Sequence, residues 1–244
     1  SHQGDERTKE MLDYYTPENI KATLRMAEEN GINTFFGRTD DHIFGILREY
    51  WDEGGTIQWF AQVSPSRGEP DSWRKWLPGA VELGATGVYL HGGVVDNNFA
   101  NGRFEVLRDF LQQARDLGSI AGFAAHNPEA LTWINENMEV DFHMCSYYNP
   151  TDRSQHAGHI ATGEKWDDED RAKMLAVIAT LKAPAVHYKV FAAGNKPILP
   201  AFEVIGANMR ENDVALLGFF PKDDPEMIAK DVALFDEHVD AVSA

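Results

Sequence analysis

The stretch Ala185-Val186-His187-Tyr188-Lys189-Val190-Phe191-Ala192-Ala193-Gly194 decides how the chain is read. It is apolar, β-branched and aromatic, and it ends in glycine, so it predicts a buried strand over 185–194. Yet it carries His187 and Lys189, two residues apart. Side chains two apart on a strand point to one face. A lysine on a buried strand has to be paired, neutralised or used chemically. Strand alternation places His187, Lys189 and Phe191 together on the inner face of a closed barrel. Lys189 then lies near the strand end where barrel enzymes hold their active sites. The competing reading is an outward lysine covered by helix or held in a structural ion pair.

Working outward, strand-like and helix-like segments alternate along the chain at intervals of about 30 residues. Thr16-Pro17-Glu18 opens a helix that Asn30-Gly31 ends. Strands follow at Ile32–Phe36, Thr56–Val63, Gly87–Leu90, Ile120–Ala125, Val140–Tyr148, the lysine stretch and Val214–Phe220. Between them lie helices, among them Trp73–Leu83, Phe104–Leu117, Asp168–Leu181 and Leu199–Met209. Asp96, Asn97 and Asn98 read as loop, and Asn149–Asp167 as a long polar loop carrying Arg153, His156 and His159. The strands are short continuous apolar runs, as in a parallel sheet buried on both faces. The fold class is therefore α/β, a (β/α)8 barrel in one domain over 1–244, with an open doubly wound sheet as the alternative. No GxGxxG follows any strand. Only seven strands are legible. Residues 1–15 have no strand pattern, so the first strand is missing or irregular. The barrel is expected to gape between the Ile32 and Val214 strands.

Composition narrows the function. With a net charge of −17, the surface repels phosphate backbones and anionic membranes. The expected partner is a small-molecule substrate, not nucleic acid or membrane; nothing in the sequence sets an oligomeric state. Cys145 is the only cysteine, so neither a disulfide framework nor a zinc-finger spacing exists. No apolar run approaches the ~20 residues of a membrane span and no leader is visible, which leaves the cytoplasm as the default expectation.

His91 in "GVYLHGG", His126 in "AGFAAHNPEAL" and Lys189 all fall at strand C-termini, which converge on one pocket in a barrel. These three are the catalytic candidates: an amine and two imidazoles suited to proton transfer or nucleophilic attack. Arg38, Asp40 and Asp96, in loops at the same mouth, and Tyr147 and His187 are the candidate substrate contacts. His143 and Cys145 read as packed side chains.

Several segments resemble the aldo/keto reductase barrel. "GVYLHGG" is similar to that family's fourth strand, whose terminal histidine maps to His91; "DFHMCSYYNP" is similar to its sixth strand; and "VALLGFFPKDDPEMIAKDV" resembles its last strand and cofactor-phosphate segment. The resemblance implies a carbonyl- or polyol-binding pocket and, at Lys222, a contact to the phosphate of NAD(P). Three of the family's four catalytic groups are absent. Phe36 stands at the position of the aspartate, no tyrosine lies nearby, and Val63-Ser64 replaces the lysine. The chain looks like a divergent branch of such barrels, and turnover of aldehydes with NADPH is not expected of it. The main expectation is a non-redox carbonyl enzyme (lyase, aldolase or isomerase) acting on a small, sugar-like substrate through Lys189 as Schiff-base nucleophile or base. An NAD(P)-dependent oxidoreductase and a divalent-metal enzyme built on His91 and His126 are the alternatives.

Overall fold

The computed structural model describes residues 5–66, 69, 71–149 and 165–240. The Arg153, His156 and His159 segment lies outside them. Helices α1 (Asp5–Tyr14) and α2 (Pro17–Glu29) precede β1 (Thr34–Arg38). Then come α3 (Asp41–Asp52), β2 (Gln58–Val63), α4 (Trp73–Leu83), β3 (Gly87–Leu90), α5 (Gly92–Ala100), α6 (Phe104–Asp116) and β4 (Ile120–Ala125). The chain continues with α7 (Pro128–Asn137), β5 (Phe142–Ser146), α8 (Asp168–Ile178), β6 (Ala185–Tyr188), α9 (Ile198–Asn208), β7 (Val214–Leu216) and α10 (Met227–Phe235).

The seven strands form one parallel sheet in sequence order, β1 to β7. It curls into a nearly closed barrel with helices outside. No pairing joins β7 to β1 among the described residues, so the gap falls where expected. Residues Asp5–Tyr14 form a helix, not a strand.

The sheet separates two cores. Tyr89, Ala124, Phe142, Met144 and Val186 cluster with Phe36, Phe60, Tyr188 and Leu216 inside the barrel. Val88, Leu90, Phe123, Cys145, Tyr147 and Ala185 pack outward against helix residues such as Leu107, Phe110 and Phe202. This division corrects the expected face of β6. Val186 and Tyr188 point inward, while His187 points out toward the helices. Phe191 also packs outside, edge-on to Phe202. Burial on both faces erases the polar–apolar alternation that would have fixed which face was which.

Two local readings also change. β6 stops at Tyr188 because Lys189 turns into the left-handed region with φ 59°, followed by Ala192 and Ala193 at 49° and 55°. Non-glycine residues adopt that conformation at a cost of order 1 kcal/mol or more. The stretch 92–100 is a helix, not a loop. Its glycines and asparagines are poor helix formers. It holds because the Gly93 N–H donates to His91 Nδ1 at 3.2 Å and because Val95, Asp96 and Asn98 are buried.

Candidate active site

β3, β4 and β6, with β5 between the last two, end at the C-terminal mouth and deliver His91, His126 and Lys189. Lys189 reaches the mouth by its left-handed turn, since on a continued strand it would follow His187 to the outside. Its Nζ lies 2.6 Å from His126 Nε2. His126 Nδ1 lies 2.8 Å from Asp96 Oδ2. The Asp96 carboxylate is fully buried and also accepts the backbone N–H groups of His126 and Asn127, each at 3.1 Å to Oδ1. An acceptor so supplied holds the imidazole proton on Nδ1. Nε2 is then left to accept a proton from the lysine. The result is a relay, Asp96–His126–Lys189, assembled from α5 and the ends of β4 and β6.

Burial lowers the Lys189 pKa from 10.5 to about 7, and the Asp96 charge opposes that shift only in part. Near neutral pH the amine is therefore available as a nucleophile or base. Tyr188 lies beside it, with Lys189 Nζ 5.3 Å from the phenol ring. Burial first, and the Asp96 charge second, push the Tyr188 phenol well above its usual pKa, while a hydrogen bond with Ser146 opposes them. It stays protonated and able to donate. Gly92 leaves room among these groups. A Cβ there would sit 3.0 Å from His126 Cε1 and 3.3 Å from the Tyr188 hydroxyl oxygen.

The other candidate residues fall elsewhere or serve differently. His91 stands at the mouth, and its imidazole caps the helix that carries Asp96. Asp96 is not a loop residue open to substrate but the buried partner of His126. Arg38 is exposed and paired with Asp40 at 2.9 Å, and Asp40 caps α3 by accepting from the Ile43 N–H at 2.8 Å. Tyr147 and His187 do not line the mouth. The Tyr147 hydroxyl lies 2.9 Å from His187 Nδ1, and His187 Nε2 lies 3.2 Å from Asp213, all buried between sheet and helices. Asp213 also binds Arg210 at 2.8 Å and the Ala185 N–H at 2.7 Å. Burial would raise the Asp213 pKa, but hydrogen bonds from His187 and Arg210 prevail and hold it well below the usual range. This is a structural network that locks β6 to the loop before β7.

Lys222 is not placed for a cofactor phosphate. Its Nζ is paired with Glu10 at 2.8 Å, and Arg7 is paired with Asp223. The Glu226 N–H is already taken by the Asp224 carboxylate at 3.0 Å. A phosphate there would meet carboxylates that have occupied its donors. Among the described residues, no three His, Cys, Asp or Glu side chains converge as a metal site. No helix among them is long and apolar enough to cross a membrane.

Tyr188 was not legible as a site residue, because nothing in the sequence showed that β6 turns its even-numbered residues inward. Asp96 was legible as a mouth residue but not as the partner of His126, because that contact depends on the unforeseen helix α5.

No protein-family model matches the chain, and no curated protein matches it in sequence. Its fold is shared with solved structures of low identity. PA4992 of Pseudomonas aeruginosa, provisionally assigned as an aldo-keto reductase, superposes with a TM-score of 0.63 at 15% identity, over 91% of this chain and 82% of that one. An aldolase named QR15 gives 0.53 at 13% identity, over 82% and 84%. The N-acetylmannosamine-6-phosphate 2-epimerase of Clostridium perfringens gives 0.55 at 12%, over 89% and 86%. These likenesses establish the α/β barrel and leave the chemistry to the site.

Proposed function

We propose that the protein is a non-redox carbonyl enzyme of lyase, aldolase or isomerase type, working on a small sugar-like aldehyde or ketone. The observation that carries this reading is the 2.6 Å contact between Lys189 Nζ and His126 Nε2, on an amine that burial brings near neutrality. The neutral amine adds to the carbonyl carbon and passes a proton to His126 Nε2, while the carbonyl oxygen gains one from the Tyr188 phenol or solvent. The protonated His126 then returns its proton to the carbinolamine hydroxyl, which leaves as water and gives an iminium ion. That cation accepts the electron pair released when a neighbouring C–C or C–H bond breaks. Asp96 keeps the imidazole oriented throughout. Solved structures with this fold include an aldolase and an epimerase as well as an aldo-keto reductase, so the fold is compatible with this class. The saturated phosphate segment around Lys222 supports it.

The test is reductive trapping. Incubation with dihydroxyacetone, glyceraldehyde or pyruvate and borohydride is expected to leave a stable adduct that peptide mass spectrometry maps to Lys189, absent from Lys189→Met. Labelling spread over surface lysines with none at Lys189 contradicts the Schiff-base route.

A further inference from the structure

Only a neutral amine adds to carbon dioxide, because an ammonium has no electron pair to give. Lysines on the outside of the barrel are placed against this. Lys21 is paired with Glu53 and Lys230 with Asp224, and those hydrogen bonds raise both pKa values. Lys173, Lys196 and Lys222 have carboxylate partners at 2.8 Å. Lys189 meets an imidazole instead, with His126 Nε2 2.6 Å from its Nζ, and burial brings the pKa of its amine to about 7. Lys189, His126 and Tyr188 are nonetheless only partly buried, so a small uncharged molecule can reach them from the mouth.

The neighbours of this amine also suit the two products of such an addition, a proton and an anion. The proton has His126 Nε2 to go to. The imidazolium that results is stabilised by Asp96, whose Oδ2 lies 2.8 Å from Nδ1. The anion, a carbamate on Nζ, stands beside that imidazolium and the Tyr188 phenol, which stays protonated and able to donate. Gly92 supplies the space. The point its Cβ would take lies 3.0 Å from His126 Cε1 and 3.3 Å from the Tyr188 hydroxyl oxygen. Charges then alternate from carbamate to imidazolium to Asp96, so the new anion does not face the buried carboxylate directly.

We propose that Lys189 is a carbamate-forming site for carbon dioxide, with His126 as the base. The Nζ electron pair forms a bond to the carbon, one C=O π pair moves onto oxygen, and an N–H proton passes to His126 Nε2. Return of that proton to Nζ breaks the new bond and releases carbon dioxide, so the modification is reversible. It occupies the amine that a carbonyl substrate needs, and carbon dioxide therefore acts as an inhibitor of the lysine chemistry. The inference rests on the amine–imidazole pair of the proposed function and not on its carbonyl steps.

The test equilibrates the protein with 13C-labelled bicarbonate and carbon dioxide at pH 8, and then adds triethyloxonium, which fixes carbamates as stable ethyl esters for peptide mass spectrometry. Occupancy at Lys189 is expected to exceed that at Lys222 and Lys230 at least tenfold. His126→Gln keeps the amine and removes the base, and with its circular dichroism unchanged it is expected to lower the Lys189 occupancy at least tenfold. Occupancy at Lys189 no greater than at Lys222 and Lys230, or equal in the wild type and His126→Gln, overturns the proposal. Borohydride trapping with dihydroxyacetone separates this from the carbonyl reading. A carbamate at Lys189 without a trapped adduct upholds the carbamate and removes the Schiff base; an adduct without a carbamate does the reverse. Where both form, the adduct yield at fixed pH is expected to fall at least threefold as carbon dioxide saturates Lys189, and a yield indifferent to carbon dioxide overturns the inhibition.

Discussion

Replacing Lys189 by methionine keeps the length of the side chain and removes its charge, so it isolates the cost of holding an amine in the barrel mouth. The unfolded chain keeps the lysine proton up to about 10.5, whereas the folded protein releases it at about 7. Between those values the unfolded state binds more protons, so stability rises with pH. The penalty is full below the folded pKa and vanishes above the unfolded one. At ~1.4 kcal/mol per tenfold change in proton affinity, the protonated amine costs the fold ~5 kcal/mol. The same relation leaves ~4 kcal/mol at pH 7.5 and ~1.5 kcal/mol at pH 9.5. Urea unfolding of the wild type and of Lys189→Met at each pH is therefore expected to show the variant's relative stability falling by ~2.5 kcal/mol from pH 7.5 to 9.5. A difference between the two proteins that stays constant within ~0.5 kcal/mol would refute the reasoning, because it would mean that Lys189 titrates as an ordinary exposed lysine.

Three further outcomes follow from the same geometry. Asp96→Asn removes the charge that raises the Lys189 pKa and loosens the hold on the His126 tautomer. Its amine should therefore titrate below the wild-type value by NMR, with ~2–4 kcal/mol of stability lost. Gly92→Ala places a Cβ 3.0 Å from His126 Cε1 and 3.3 Å from the Tyr188 hydroxyl. It should cut borohydride trapping at Lys189 at least tenfold while the urea midpoint moves little. Asp213→Asn breaks the buried network with His187 and Arg210 and is expected to cost ~3–5 kcal/mol at neutral pH. Because the Asp213 pKa is depressed in the fold, that advantage exists above the unfolded carboxylate value of 3.8 and fades as pH falls below it, which acid titrations of both proteins would show.

The fold was legible because its strong signals are local. Thr16-Pro17 and Asn127-Pro128 open helices as read, and Gly84 closes α4 in the left-handed conformation. The seven apolar runs became seven parallel strands, with the gap between the first and the last. The site was legible in part for a reason the sequence did not contain. Lys189 does reach His126, but through a backbone turn at φ 59° and not through strand alternation. Alternation fails as a guide in a strand apolar on both faces, and it sent His187 inward when its partners, Tyr147 and Asp213, lie outside. Asp96 was masked by a helix whose cap is an imidazole and whose first turn is Gly-Gly, a pattern that reads as loop. Asp213 was silent because its partners His187 and Arg210 converge only once β6 and β7 pair.

The central claim is that Lys189 carries a near-neutral amine in contact with His126. The most direct measurement is an NMR titration of the Lys189 side chain, with 13C label at Cε and the assignment made by its loss in Lys189→Met. The account predicts a midpoint near 7, together with a perturbation of the His126 ring signals through the same titration. A midpoint near the ordinary 10.5, with the His126 signals unmoved as Lys189 titrates, would contradict it.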